Sequence, residues 1–383
     1  MIYPEVKMHL LYNIGSASNP ILQGGGAFMS DYNYHIGVDY HKRFSYMVVK
    51  DSTGKTLKSG TVLNTRGDVS RFLEKYNESS HAVLEATRNW TVMHDWLEEE
   101  LDDVVLANPF RLKAIAEAKI KTDKIDANIL SDLLRVDLIP TAHVPSLRSR
   151  SMRQVLRERM FFVKMRTMTK NRVHTLFDKY PEQVKELKRI ETDLFGKAGR
   201  EQLKKLKVSE VDRTVIDREV AFIDELYEYI KKSEETIKQY SKGNGNVTRL
   251  KSIPGIGEFL ARLIEAEIDD VNRFPNAKKL SAYAGLVPST YSSGGKTFNG
   301  RIIKGGNKWL RWAFVEAVIP AVRSDEWIRQ EYEKLKEKKG YNKAKVAVAR
   351  KLLEIAYKVL KEGREYRKFN SKEVELKNIS RLS

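Results

Sequence analysis

The apolar and polar positions between residues 34 and 135 alternate between two patterns. From Tyr34 to Tyr40 the apolar side chains occupy every second position, which is the period of a half-buried strand. Later stretches, beginning near Arg66, have the longer period of helices. The predicted order is three strands, a helix, a strand, a helix, a strand and two helices. The predicted strands cover residues 34–40, 44–50, 56–63, 81–86 and 104–107, and the predicted helices cover 66–76, 90–101, 110–118 and 122–135.

This order predicts an α/β fold of the ribonuclease-H-like class for the first part of the chain. Alternating strands and helices require a layered α/β domain in any case, because the faces of the sheet must be covered. After Pro140 the pattern changes to long, charged helices with few strand signals. The remainder is therefore predicted to be mainly all-α.

Two long helices are predicted in the middle of the chain, over residues 149–180 and 215–240. Four isoleucines of the second helix lie one heptad apart, at Ile216, Ile223, Ile230 and Ile237. That spacing fits a coiled-coil seam, and a helix packed on its own domain is the alternative. A linker rich in Gly, Asn and Ser, at 241–246, then leads into a compact helical region that ends near Gly363.

These changes divide the chain into five predicted segments. They are a disordered extension at 1–33, an α/β domain at 34–145, a helical coiled-coil segment at 146–245, a C-terminal domain at 246–365 and a polar tail at 366–383. The extension contains three consecutive glycines at 24–26, which indicate disorder. Met29 is an alternative natural start.

The composition indicates the class of binding partner and excludes several kinds of site. The 383 residues include 69 Lys and Arg against 51 Asp and Glu, a formal net charge of +18. That excess predicts a polyanionic partner, nucleic acid before a membrane surface. The sequence has no cysteine, which excludes disulfides, zinc–thiolate sites and thiol catalysis. We expect a cytoplasmic protein, because the sequence has neither a transmembrane-length apolar run nor a signal-peptide pattern at its start.

Four acidic residues form the main candidate site. Asp123 and Asp126 lie three residues apart, so a helix places them on one face. Asp39 follows one strand-like run and Glu85 closes another. Carboxylates are the ligands that hard divalent cations prefer, and a pair of cations can serve both oxygens of a phosphodiester displacement. The alternatives are a strand-edge aspartate facing water at Asp39, an ordinary residue at a strand end at Glu85, and a helix N-cap and first-turn acid at Asp123 and Asp126.

A second motif, Ile253-Pro254-Gly255-Ile256-Gly257, precedes an apolar helix over residues 259–267. It has the form of a helix-hairpin-helix, in which Gly255 and Gly257 let backbone N–H groups approach a phosphate at the next helix's N-terminus. Such an element binds the DNA backbone without reading its sequence. A plain Pro-Gly turn between packed helices is the alternative.

A third stretch combines serines with cations. Ser289, Ser292 and Ser293 lie in a predicted loop, and five basic residues follow: Lys296, Arg301, Lys304, Lys308 and Arg311. A serine among cations could attack phosphorus, with the cations stabilising the transition state. A polar phosphate-binding loop is the alternative. Aromatic residues interleave with these cations and could stack on bases or pack a helix: Tyr283, Tyr291, Trp309 and Trp312.

These blocks, in this order, resemble the DEDD transposases of the insertion-sequence-110 type, also described as bridge-RNA-guided DNA recombinases. The resemblance covers about residues 34–365. The blocks are Ile36-Gly37-Val38-Asp39, Leu84-Glu85-Ala86-Thr87, Lys121-Thr122-Asp123-Lys124-Ile125-Asp126-Ala127, Ile253-Pro254-Gly255-Ile256-Gly257, Ala284-Gly285-Leu286-Val287-Pro288, Tyr291-x-Ser293-Gly294 and Lys304-x-Gly306-Asn307-x-x-Leu310-Arg311.

The resemblance implies a RuvC-like domain in which Asp39, Glu85, Asp123 and Asp126 bind Mg²⁺. It places the nucleophilic serine at Ser293, with Ser292 and Ser289 as neighbours that a shift within the loop keeps open. It also implies a helical coiled-coil connection and dimers that pair into a tetramer, so that a serine of one subunit completes the RuvC-like site of another. A structured RNA from the same element would pair with donor and target DNA.

The chain departs from the family pattern in two places. Arg88 stands where the family usually has glycine after Glu-Ala-Thr, which affects the expected backbone beside Glu85. The N-terminal extension is also unusual for the family. Two other functions fit the residues: a RuvC-like metal nuclease that hydrolyses branched DNA with water, and a non-catalytic nucleic-acid-binding protein.

Overall fold

The computed structural model of the protein describes residues 32–116, 122–190, 193–240, 243–293, 296–303 and 305–366. The chain divides into two compact units, which meet in sequence between Val144 and Pro145. The first 31 residues of the predicted extension, the polar tail after residue 366 and Lys304 lie outside the described residues. Among the described residues, no helix is both long enough and apolar enough to cross a membrane.

The first unit is a mixed sheet with helices, as the sequence predicts. Its strands are β1 (Tyr34–Tyr40), β2 (Phe44–Asp51), β3 (Thr56–Leu63), β4 (Ser80–Glu85) and β5 (Asp103–Ala107). Its helices are α1 (Arg66–Leu73), α2 (Trp90–Glu100), α3 (Pro109–Lys113) and α4 (Asp123–Arg135). The helix predicted over 110–118 is thus observed as the shorter α3, and its last two residues lie outside the described part of the chain.

The strand order across the sheet is β3-β2-β1-β4-β5. β1 pairs antiparallel with β2 and parallel with β4, and β4 pairs parallel with β5. One face of the sheet, with Ile36, Val38 and Leu84, packs in a core that contains residues of α1 and α2. The other face, with Val83, packs against Leu130 of α4. Because successive residues of a strand alternate between faces, β1 and β4 each have one side directed at α4.

The second unit is built mainly of helices. These are α5 (Leu147–Phe177), α6 (Pro181–Ile190), α7 (Lys197–Lys204), α8 (Glu210–Tyr240), α9 (Gly245–Lys251), α10 (Glu258–Ile268), α11 (Ala277–Ala284), α12 (Lys308–Ser324), α13 (Glu326–Lys339) and α14 (Tyr341–Lys361), with a short 3₁₀ turn at Val271–Arg273. Helices α9 to α14 share one apolar core, in which the largest fully buried side chain is Phe314.

The long helices α5 and α8 pack against each other in antiparallel order. The four isoleucines at heptad spacing are all buried. At one end of the pair Ile216 shares a core with Phe177, and at the other end Ile237 shares a core with Met152. An ion pair between Arg159 of α5 and Glu234 of α8, at 2.7 Å, agrees with this antiparallel arrangement. The isoleucine seam is therefore used within this chain.

A two-stranded hairpin interrupts the helices of the second unit, in a stretch that the sequence predicts to be a loop. Its strands are β6 (Pro288–Ser293) and β7 (Lys296–Ile302), paired antiparallel. Serine and glycine are typical of turns, and a short polar strand shows little alternation of apolar and polar residues, so the pattern favours a loop. The hairpin forms because the backbones of the two strands pair, which the side-chain pattern alone does not indicate.

Candidate functional site

The candidate site begins with a close approach between β1 and α4 at Gly37. A Cβ atom added to Gly37 would lie 2.1 Å from the carbonyl oxygen of Ala127 and 2.6 Å from the backbone nitrogen of Ser131. Only glycine permits this approach. The Ser131 hydroxyl also donates a hydrogen bond to the His35 carbonyl oxygen at 2.9 Å. These contacts place the first turn of α4 at the end of β1.

Three side chains converge there. Asp39 lies near the end of β1 and is half-buried, and Asp123 is the first residue of α4. Nε2 of His41 lies between them, 3.2 Å from Oδ2 of Asp39 and 3.2 Å from Oδ1 of Asp123. One potential ligand atom from each of the three residues lies within 4.8 Å of the other two. This group is called the D39–H41–D123 cluster below.

The other two predicted acids lie on neighbouring positions. Val38 pairs with Leu84 in the parallel β1–β4 ladder. Asp39 and Glu85 are the next residues of these two adjacent strands. By strand alternation both lie on the α4 side of the sheet. Asp126 lies in the first turn of α4, and its charge acts on Asp39. Neither Glu85 nor Asp126 belongs to the group of ligand atoms within 4.8 Å.

Burial raises the pKa of the Asp39 carboxyl above its ordinary value. The imidazole of His41 opposes this increase, whereas the negative charges of Asp126 and Asp123 add to it. The cause is that like charges and partial desolvation both disfavour ionisation. A divalent cation relieves both effects, and carboxylate oxygens are its preferred ligands. The donor set therefore fits a cation such as Mg²⁺ or Mn²⁺.

Two alternatives for the acids can be compared with these positions. The N-cap of α4 is Thr122, whose hydroxyl accepts a hydrogen bond from the Ile125 N–H at 3.3 Å, so the N-cap prediction for Asp123 is wrong. Both acids are nevertheless in the first turn, where the helix dipole favours negative charge. Asp39 is half-buried, which does not fit an aspartate that faces water at a strand edge.

Sequence reasoning missed His41. The signal was available, because His41 stands two residues after Asp39 and alternation places the two on the same side of an extended chain. The strand ends at Tyr40, and the turn that follows is held by a hydrogen bond from the His41 N–H to the Phe44 carbonyl at 3.1 Å. The Asn64 side chain also donates to the His41 carbonyl oxygen at 2.7 Å.

The two glycines of the turn between α9 and α10 differ in how closely other residues approach them. Gly255 has φ +82°, and an added Cβ would lie 2.2 Å from the carbonyl oxygen of Ala317 in α12. That contact explains this glycine by packing alone. Gly257 is exposed at the N-cap of α10, and an added Cβ would meet nothing within 4 Å. Of the two predicted phosphate contacts, Gly257 is the one that is open to a ligand.

The candidate nucleophile Ser293 is the last residue of β6, where its backbone pairs with Lys296. Ser292 precedes it in the same strand. The side chains of Thr290 to Thr297, of Asn299 and of Arg301 lie outside what the structure describes. The positions of Ser293, Lys296 and Arg301 are therefore known here from the backbone.

The base of the hairpin is fixed by Asn307 and a buried acid. Asn307 caps α12 by accepting hydrogen bonds from the N–H groups of Trp309 and Leu310, both at 3.0 Å. Its amide donates to Oε2 of Glu267 at 2.9 Å. Glu267 is fully buried, and its other oxygen accepts a 2.8 Å bond from Arg157 of α5. This group of three is called the hairpin clamp below.

The predicted cations after the hairpin also differ in their surroundings. Lys308 is exposed at the start of α12, with its ammonium 5.0 Å from the centre of the Trp309 ring. Arg311 is half-buried and donates to the carbonyl oxygens of Ala284 and Ile303, at 3.3 and 3.1 Å. Arg311 thus contributes to the base of the hairpin, whereas Lys308 faces solvent.

Comparison with known families matches both units. Residues 36–181 match a model of DEDD transposases of the IS110 type, and this range contains Asp39, Glu85, Asp123 and Asp126. Residues 247–333 match the model described as the IS116/IS110/IS902 transposase family, and this range contains Ser293.

Several curated relatives agree. The transposase for insertion sequence element IS1111A of Coxiella burnetii is 34% identical over 142 residues, which is 35% of this chain and 38% of the relative. The IS116 uncharacterized 44.8 kDa protein of Streptomyces clavuligerus is 23% identical over 86% of this chain and 95% of its own length. The pilin gene-inverting protein of Moraxella bovis is 28% identical, over 76% and 84% respectively.

The alignments differ in extent. The chain spans less than half of the length of several curated relatives that it matches, from 29% to 44%. Two other alignments cover most of both chains, and the two family models match successive parts of this chain. On these grounds the chain contains two transposase domains, one matching the IS110 type and the other the IS116/IS110/IS902 type.

Proposed function

We propose that the protein is the transposase of an insertion sequence and that it cuts and joins DNA strands. The observation that carries the proposal is the D39–H41–D123 cluster, a divalent-cation donor set within the part of the chain that matches DEDD transposases. A basic chain that carries such a site suits a phosphodiester substrate. The M. bovis relative, named for inverting a gene, supports strand exchange rather than simple cleavage.

We further propose a RuvC-like fold for the first unit. Its support is the sheet order with three antiparallel strands followed by two parallel ones, and the position of the acids at strand ends and at the start of α4. We also propose that the packed pair α5 and α8 acts as a coiled-coil segment. The helices α9 and α10, with the Pro-Gly turn between them, act as a helix-hairpin-helix. In the last element Gly257 presents an open helix N-terminus to a DNA phosphate.

Asp39, Glu85, Asp123 and Asp126 are the residues that would hold the cation, with Mg²⁺ as the expected ion. A bound divalent cation supplies Lewis acidity toward a phosphodiester oxygen. The four acids place negative charge at the strand ends and at the start of α4. The close approach at Gly37 keeps Asp123 and Asp126 of α4 near Asp39 of β1.

In the proposed reaction the Ser293 hydroxyl attacks a DNA phosphorus. A bond forms between the serine oxygen and phosphorus, and the bond from phosphorus to one deoxyribose oxygen breaks. The serine loses its proton, and the released deoxyribose oxygen gains one. The energy of the phosphodiester is kept in a covalent protein–DNA bond, which a hydroxyl of a second strand can attack in turn.

The proposed partners are donor DNA, target DNA and a structured guide RNA. The support from charge is uneven along the chain. Residues 1–144 contain 16 Lys and Arg against 19 Asp and Glu, whereas residues 145–383 contain 53 against 32. The excess positive charge therefore belongs to the second unit, which suits it for binding phosphate backbones. A dimer that pairs into a tetramer is part of the same proposal.

The test is a cleavage assay on DNA that carries the element's ends, with the element's flanking transcript and Mg²⁺. Products are separated on denaturing gels with and without protease. We expect a retarded, protease-sensitive DNA band that disappears in Ser293→Ala. Ser292→Ala is the matched control, since it removes the hydroxyl of the preceding residue, and it should retain the band.

Two other outcomes would overturn parts of the proposal. Free nicked DNA that is insensitive to protease, and that persists in Ser293→Ala but not in Asp39→Asn, identifies a metal nuclease that uses water. DNA binding without cleavage, unchanged in Asp39→Asn, identifies a non-catalytic nucleic-acid-binding protein.

A further inference from the structure

The environment of His41 goes beyond the four acids. Its Nε2 atom is buried, although the side chain as a whole is 40% exposed. The buried atom is the one that lies 3.2 Å from Asp39 and 3.2 Å from Asp123. A neutral imidazole nitrogen has one hydrogen or one lone pair and cannot serve two carboxylates at once. A cation between the three groups can serve all of them.

The spacing of the three ligand atoms agrees with that of a bound cation. Adjacent ligands around an octahedral ion lie about 3 Å apart when each is about 2.1 Å from the metal. The two distances of 3.2 Å from His41 to the carboxylates are close to that value. The ring is also held in place, because His41 is tied to Phe44 and Asn64 through its backbone and its ring packs 5.2 Å from the Phe44 ring.

We propose that His41 is a nitrogen ligand of the divalent cation in this site, in addition to the acids. This inference rests on the proposed metal site. Mg²⁺ is a hard ion that takes oxygen ligands, whereas Mn²⁺, a transition metal, accepts imidazole nitrogen as well as oxygen. The site of this chain therefore binds Mn²⁺ more tightly, relative to Mg²⁺, than four carboxylates would.

Direct binding of Mn²⁺ to the full-length protein, without DNA, tests this inference. Mn²⁺ affinity is measured by electron paramagnetic resonance and nitrogen coordination by electron spin-echo envelope modulation. Mg²⁺ affinity follows from competition. We expect nitrogen modulation in the wild-type protein and its loss in His41→Ala. The Mn²⁺ dissociation constant should rise about ten-fold or more, since even outer partners of metal ligands contribute ten- to hundred-fold.

Two variants separate coordination from other roles. His143→Ala removes an exposed histidine of the same unit and should keep both the modulation and the affinity. His41→Gln keeps a side chain that can donate a hydrogen bond to the carboxylates but has no imidazole. If His41 is a ligand, His41→Gln loses the nitrogen modulation and the preference for Mn²⁺ over Mg²⁺, as His41→Ala does.

The remaining outcomes distinguish failure of this inference from failure of the site. If Mn²⁺ binds, is lost in Asp39→Asn, and shows no nitrogen modulation, His41 is not a ligand while the metal site stands. If His41→Gln restores the wild-type preference for Mn²⁺, His41 only positions the carboxylates, and the inference is wrong. If the wild-type protein binds no Mn²⁺, both the inference and the proposed metal site are wrong.

Discussion

At the scale of single residues, Gly37 matters to the site as much as the carboxylate two positions later. Asp39 supplies a potential ligand, but the absence of a side chain at Gly37 lets α4 bring Asp123 to it. His41 completes the cluster from the turn after β1. The carboxylates could be proposed from the sequence, because their types and their order indicate metal chemistry. The contact at Gly37 could not, since it depends on how closely a helix packs on a strand.

We predict that Gly37→Ala displaces α4 and weakens the metal site. The added methyl group would overlap the backbone of Ala127 and Ser131, and overpacking of this kind costs about 1–3 kcal/mol of unfolding free energy. Hydrogen exchange of α4 should become faster, and Mn²⁺ binding should weaken. Gly60→Ala is the control, because its added carbon meets only the Phe72 ring, at 3.9 Å. Equal effects of the two substitutions would contradict the packing argument.

A second prediction concerns two buried histidines at the other end of the same strands. His35 and His81 share a hydrogen bond of 2.6 Å between ring nitrogens. Burial, together with the nearby His35, lowers the pKa of His81 to about 4. The unfolded chain therefore binds this proton more readily than the folded chain. The free energy of unfolding should fall as the pH is lowered from about 6.5 to about 4, by at most about 3 kcal/mol.

Hydrogen exchange of β1 and β4 between pH 7.5 and 4.5 measures this effect locally, which suits a chain with two units. The exchange-derived stability of these strands should fall with pH in the wild-type protein and fall less in His81→Gln. The same pH dependence in both proteins would show that His81 does not cause it.

At the scale of elements, the hairpin β6–β7 depends on residues outside it. The clamp of Asn307, Glu267 and Arg157 joins the start of α12 to α10 and α5. Gly306 packs against the backbone of Gly285, so the two ends of the hairpin approach each other closely. A strand pair this short is not stable by itself. Its geometry therefore comes from the helices that hold its base.

We predict that Asn307→Ala destabilises the hairpin more than the loss of a helix cap alone. An N-cap substitution costs about 1 kcal/mol, and leaving the buried Glu267 carboxylate without its amide partner adds about 1–3 kcal/mol. Asn276→Ala removes a comparable cap from α11, where the side chain is exposed and accepts a hydrogen bond from the Lys279 N–H at 3.1 Å. Hydrogen exchange of residues 283–303 should increase in Asn307→Ala only. Equal changes in both variants would mean that the clamp contributes nothing beyond capping.

At the scale of the whole molecule, charge and candidate chemistry are divided between the two units. The first unit carries the D39–H41–D123 cluster and slightly more acidic than basic residues. The second carries the excess of Lys and Arg together with the hairpin of Ser293. A net charge computed for the whole chain hides this division. Binding to a polyanion should accordingly depend on cations of the second unit.

We predict that Lys308→Ala lowers the salt dependence of non-specific DNA binding. Each lysine that contacts a phosphate contributes about 1 to the slope of log affinity against log salt concentration. Lys308 is exposed beside the Ser293 hairpin. Lys55→Ala, an exposed lysine in a turn of the first unit, should leave the slope unchanged. Fluorescence anisotropy with a DNA duplex of arbitrary sequence at several salt concentrations measures both slopes. Equal slopes for Lys308→Ala and the wild type would remove Lys308 from the DNA-binding surface.

The sequence by itself determined the order of strands and helices in the first unit and the heptad spacing of α8, and it supplied the four acids as candidates. These are local properties, since alternation, helical period and residue type are written in adjacent positions. Tertiary structure decided which residues that are far apart in sequence come into contact. Packing at Gly37 brought Asp123 to Asp39, the turn after β1 brought His41 between them, and the buried Glu267 set the base of a hairpin whose residues had the pattern of a loop. Such contacts join residues that are far apart in sequence, so they arise only when the chain closes on itself.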